Sequence, residues 1–135
     1  MHVSLRRPLN ETDVDAVDVV NAVEQSPEVL AAVARLDAMA TKTTTPCGDG
    51  AMVWREFGAG PTLVLLHGGF GSWLHWFRCI EPLAAHYRLL VPDLPGLGES
   101  ADAPEPYDGY SIAAIVADGL RMLVPPGELF DMAGF

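Results

Sequence analysis

The residues best suited to chemistry are His67-Gly68-Gly69-Phe70-Gly71-Ser72, which directly follow the apolar run Thr62-Leu63-Val64-Leu65-Leu66. Glycine lets a backbone bend sharply and bring its N–H groups close to a bound atom, with no Cβ in the way. An apolar run without alternation predicts a strand buried on both faces, as in the middle of a parallel sheet. Strand, glycine turn and amphipathic helix in succession build a small anion-stabilising pocket at the carboxyl edge of such a sheet.

The flanking elements that must position this turn can be read in order. Val14, Val17, Val20 and Val23 predict one helix, with Thr12, Asp13 and Asp15 at its start. Ser26-Pro27-Glu28 predicts the start of a second, with Val29, Leu30, Val33, Leu36 and Ala40 as its apolar stripe. Thr41 to Pro46 reads as a polar linker, dividing a helical extension and linker (1–47) from a second region (48–135). Ala51–Phe57 predicts a strand, Trp73 opens a helix that Pro82 bends, and Tyr87–Val91 predicts the next strand. Ser111 is the expected cap of a helix burying Ile112, Ile115, Val116, Leu120 and Leu123, with Gly119 allowing close approach. Pro125-Pro126-Gly127 ends it, and Leu129–Phe135 begins another strand. The order of elements implies an α/β fold: a mostly parallel sheet with helices on both faces, preceded by a helical segment.

Composition narrows the function classes. With 8 Lys+Arg against 18 Asp+Glu in 135 residues, the net charge is −10. That argues against nucleic acid or an anionic membrane as partner. Cys47 and Cys79 have no metal-type spacing, so neither a metal nor a disulfide is expected. No run approaches the length of a membrane span, and the expected location is cytoplasmic.

Three segments, in order, resemble one family. They are His67-Gly68-Gly69, then Asp93-Leu94-Pro95-Gly96-Leu97-Gly98-Glu99-Ser100, then Phe130-Asp131-Met132-Ala133-Gly134-Phe135. Each begins at or just after a strand, and the last has the form of a strand entering a G-x-S-x-G nucleophile elbow. Together, residues 48–135 resemble the amino-terminal half of an α/β-hydrolase of the esterase and carbon–carbon-bond hydrolase type. The resemblance implies a serine hydrolase acting on an ester, thioester or activated C–C bond, without metal or organic cofactor. It implies Gly69, and next Phe70, as the oxyanion donor on the His-Gly side, worth about 3 kcal/mol per donor. Gly68, Trp73, His75 and Trp76 are implied pocket residues, although core packing is the alternative for the tryptophans. Gly134 and Phe135 would open the elbow.

In this family the catalytic order is nucleophile, acid, histidine, so His67, His75 and His86 precede the base and fall outside the triad. His67 is then a structural imidazole, and Asp93 a loop-fixing carboxylate. No triad member is expected in this chain, which alone should be inactive. A second polypeptide carrying the remaining strands and the serine is the expected partner, beside a small-molecule substrate. The end at Phe135 is either a nick or expression boundary, or the product of self-cleavage by that serine. Aspartate-nucleophile relatives usually carry a proline where this chain has Phe70 or Gly71. A non-catalytic ligand-binding protein and a cofactor-free perhydrolase or acyltransferase are the remaining alternatives.

Overall fold

A computed structural model of the chain describes residues 26–135. The helix expected over residues 14–23 lies outside them. Helix α1 (Pro27–Met39) starts as the sequence implies, with the Val29 N–H donating to Ser26 Oγ at 3.3 Å. A compact unit then runs from Leu36 to Phe135.

Its first strand corrects the linker reading. Residues Thr41–Cys47 form β1, which pairs antiparallel with β2 (Gly50–Phe57) through a two-residue turn at Gly48-Asp49. A threonine run is polar by composition yet β-branched, so it suits a half-covered edge strand. Thr45 and Cys47 are buried, and Thr45 Oγ1 accepts from Trp54 Nε1 at 2.8 Å. Pro46 is tolerated because β1 is an edge.

Strands β3 (Thr62–Leu66), β4 (Arg88–Pro92) and β5 (Phe130–Gly134) complete a five-stranded sheet of order β1-β2-β4-β3-β5. It is mixed: β4, β3 and β5 are parallel, whereas β2 runs antiparallel to both β1 and β4. The parallel register aligns Leu66 with Gly134 and Val64 with Leu90, so His67, Asp93 and Phe135 all emerge at the same carboxyl edge.

Both faces of the sheet are covered. On one, Met52, Trp54, Val64 and Leu90 pack with Val116, Leu120 and Val124 from α3 (Gly109–Leu123) and the residue after it. On the other, Phe57 stacks on Trp73, while Ile80 is buried on α2 (Phe77–Ala84), which packs on β4. The expected single helix from Trp73 is two pieces, a 3-10 turn over Trp73–Trp76 and then α2 with Pro82 inside it. The cap of α3 is also corrected. Asp108 is the capping residue, its carboxylate accepting from the Ser111 N–H at 2.8 Å, and Ser111 is the third helical residue of a capping box.

Gly119 sets the closeness of α3 to the sheet. A Cβ there would lie 2.7 Å from Trp54 Cζ2 and 2.8 Å from Thr45 Oγ1. Alanine would gain about 1 kcal/mol of helix propensity. Overpacking costs about 1–3 kcal/mol, and the buried Trp54–Thr45 bond would be disturbed as well. Gly119→Ala is therefore expected to lower stability by about 1–2 kcal/mol. Urea unfolding measures it, and a raised midpoint would contradict the packing described.

Candidate active site

The turn after β3 is held from both ends by side chains. His67 is buried, and both its ring nitrogens are engaged. Nε2 accepts from the Leu94 N–H at 2.9 Å, and Nδ1 lies 2.8 Å from Gly68 O. A carbonyl only accepts, so Nδ1 carries the proton and Nε2 is the acceptor. An imidazole used in this way is a strut between two loops.

At the far end, the Trp73 N–H donates to Asp93 Oδ1 at 2.8 Å. Asp93 is only 1% exposed, and its Oδ2 also accepts from the Glu99 N–H at 3.0 Å and from Arg55 Nη1 at 3.1 Å. The loop folds so tightly around this carboxylate that a Cβ on Gly98, at φ +54°, would lie 2.3 Å from Asp93 Cγ.

Between these anchors the turn is open. Gly69 and Phe70 are exposed, and among the described residues neither N–H donates to a protein acceptor. A Cβ on Gly69 would meet nothing within 4 Å. Phe70 sits at φ +60° with its ring fully exposed. That conformation costs a bulky L-residue about 1–2 kcal/mol, and no packing of the ring offsets it.

The expected pocket residues separate into two groups. Trp73 is core: it is 5% exposed, stacked at 6.4 Å on Phe57, with the Arg55 guanidinium 4.5 Å from its ring centroid. Gly68, His75 and Trp76 instead gather around Phe135. The His75 and Phe135 rings are 5.0 Å apart, and Trp76 meets Phe135 edge-on at 6.3 Å. His75 Nδ1 accepts from the Gly68 N–H at 3.4 Å, and a Cβ on Gly68 would lie 3.3 Å from the Phe135 carbonyl oxygen. The Phe135 N–H donates to Leu66 O at 3.0 Å, continuing the β3–β5 ladder one residue past Gly134. Trp76 Nε1 is buried and, among the described residues, has no hydrogen-bond partner.

Arg55 was not among the residues that sequence reasoning singled out, although it is the charge at the centre of this region. Its one signal was a cation in the apolar stretch Met52-Val53-Trp54 before Phe57. Its Nε donates to Asp37 at 2.7 Å, and Nη2 pairs with Glu99. Burial alone would lower the Arg55 pKa, but the Asp37 hydrogen bond and the charges of Asp93, Glu99 and Asp37 raise it. Asp37 is correspondingly held below the usual carboxylate range, chiefly by Arg55, with burial opposing and Lys42 assisting. Among the described residues no cluster of His, Cys, Asp and Glu is arranged to hold a metal ion, and no helix is long and apolar enough to cross a membrane.

This architecture has relatives. Residues 61–124 match the α/β hydrolase fold family. A pimeloyl-[acyl-carrier protein] methyl ester esterase from Vibrio campbellii is 36% identical over 90 residues, covering 53% of this chain and 35% of that protein. A soluble epoxide hydrolase from a Corynebacterium species is 39% identical over 61 residues, covering 45% of this chain and 21% of that protein. Among solved structures, a membrane phospholipase A superposes with a TM-score of 0.64 at 25% identity, over 90% of this chain and 41% of that one. The sheet order, the turn and these matches agree on an incomplete α/β-hydrolase fold. The chain spans about 35% of the first of these relatives.

A depressed carboxylate contributes stability above its unfolded pKa, about 3.9 for aspartate, and that contribution is lost as pH falls through the lower folded value. Removing Asp37 should therefore flatten the acid limb. Asp37→Asn is expected to narrow the stability difference between pH 6 and pH 3 relative to the unsubstituted protein, as read by denaturant unfolding. An unchanged pH slope would contradict the Arg55–Asp37 pairing.

Proposed function

We propose that the full-length protein is a serine hydrolase that cleaves an ester, thioester or activated carbon–carbon bond through an acyl-enzyme. One observation carries the reading: two exposed amides without protein acceptors, Gly69 and Phe70, in the turn whose Gly68 lies against Phe135 at the carboxyl edge. Such donors stabilise the negative charge that develops on a carbonyl oxygen during acyl transfer.

In this reading the nucleophile is the residue following Phe135 in the full-length protein, on a turn continuing from β5. Its oxygen adds to the substrate carbonyl while its proton passes to a histidine later in the fold. Collapse of the tetrahedral intermediate expels the leaving group, which takes that proton. Water then repeats the sequence on the acyl-enzyme and releases the acid. Gly69 N–H is the first choice for the donor and Phe70 N–H the second, with Gly68, His75 and Trp76 beside the substrate.

The remainder of the hydrolase domain, on a second polypeptide or the same one, would add to the open edge of β5. Phe130 and Met132 are 40% and 50% exposed there, and they border an apolar groove of about 650 Å³ shared with Leu120 and Val124. An aspartate nucleophile is the second reading, favoured by the epoxide hydrolase among the relatives.

Turnover of p-nitrophenyl acetate and of styrene oxide by the full-length protein separates these readings, together with peptide mapping after fluorophosphonate treatment. Ester turnover with the adduct on the residue after Phe135 is expected. Epoxide turnover without an adduct would transfer the assignment to the aspartate class. Inertness toward both substrates and the probe would overturn the hydrolase reading.

A further inference from the structure

We propose that Arg55 is a positioning residue for the oxyanion turn, acting through the Asp93 carboxylate. The inference rests on the hydrolase reading for its kinetic consequence, although not for its structural one.

Arg55 is 3% exposed and Asp93 1%, in direct contact on the sheet face opposite α3. A buried carboxylate without a counter-charge is strongly disfavoured, and Arg55 supplies that charge at 3.1 Å, fixing the Asp93 side chain while its backbone N–H bonds to Val53 O at 2.9 Å. Asp93 spends its two oxygens on backbone: Oδ1 on the amide of Trp73, which ends the turn, and Oδ2 on the amide of Glu99. One residue on, the Leu94 N–H holds His67, which begins the turn. The segment 68–72 is thus suspended between two fixings on the same dipeptide, Asp93-Leu94, and Arg55 holds that dipeptide to β2.

The guanidinium also lies over the Trp73 ring, with Cζ 4.5 Å from the centroid. It therefore restrains Trp73 twice, by its side chain directly and by its amide through Asp93. A planar fork with several fixed donors can meet Asp37, Asp93, Glu99 and a ring face together, whereas a lysine ammonium, a compact point charge, cannot. Displacing the turn amides by even a fraction of an ångström would weaken their contact with a developing oxyanion while leaving ground-state binding almost untouched.

The test uses the full-length protein. Arg55→Lys is expected to remain folded, to lose about tenfold or more in kcat toward p-nitrophenyl acetate, and to change KM by less than about threefold. Hydrogen exchange at the Trp73 and Leu94 amides, which bond to Asp93 and His67, should speed up by about tenfold, with α3 unaffected. The double variant Asp37→Asn/Glu99→Gln removes the exposed partners and leaves the Arg55–Asp93 contact. It is expected to keep kcat within about twofold and to retain slow exchange at the Trp73 and Leu94 amides.

Wild-type kcat and exchange in Arg55→Lys would overturn the proposal. So would a double variant as impaired as Arg55→Lys, and this arm decides the matter if Arg55→Lys does not fold. If the unsubstituted protein proves inert toward esters, the hydrolase reading falls, and the exchange comparison alone still judges the role of Arg55.

Discussion

A backbone amide can serve a passing anion only if no protein group has already taken its hydrogen. A turn that offers such amides therefore cannot hold itself together with them, and something outside it must. Here, among the described residues, the only backbone bond across the open part of the turn runs from the Gly71 N–H to Gly68 O, at 3.3 Å. The fixing comes from His67 at one end and from the Asp93 contact with Trp73 at the other. Phe70 lies in the open part of this turn at φ +60°, a strained conformation for a bulky residue that no packing of its exposed ring offsets.

The parallel register turns this local arrangement into the candidate site. Because β4, β3 and β5 run the same way, their carboxyl ends deliver three different loops to one edge. The first carries the buried carboxylate, the second the open amides, and the third ends with Phe135 against Gly68, His75 and Trp76. Charge, donors and the strand that would lead to a nucleophile come from segments far apart in sequence. Their proximity is a property of sheet topology.

The parts of this arrangement that were legible in the sequence are those governed by local patterns. The unbroken apolar run of β3 and the glycines after it announced a buried strand and an open turn. Pro27 after Ser26 marked a helix start. The misread parts depended on partners. Thr41–Pro46 looks like a linker until Trp54 is placed beside Thr45, because threonine is both polar and strand-forming. Asp108 and Ser111 both suit a cap, and only the backbone shows which residue lies outside the helix. Arg55 gave almost no signal, since its importance lies in Asp37, Asp93 and Glu99, each distant from it in sequence. Trp73 and Trp76 are chemically alike and three residues apart, yet one is core and the other faces Phe135.

The most direct test of the central claim is a crystal structure of the full-length protein carrying a covalent phosphonate, whose anionic oxygen mimics the charged oxygen of acyl transfer. The account predicts that oxygen at about 2.7–3.1 Å from the amide nitrogen of Gly69 or Phe70, with Asp93 still bound to the Trp73 amide. An adduct whose oxygen points away from the turn, or a turn whose amides have rotated into protein contacts, would contradict it.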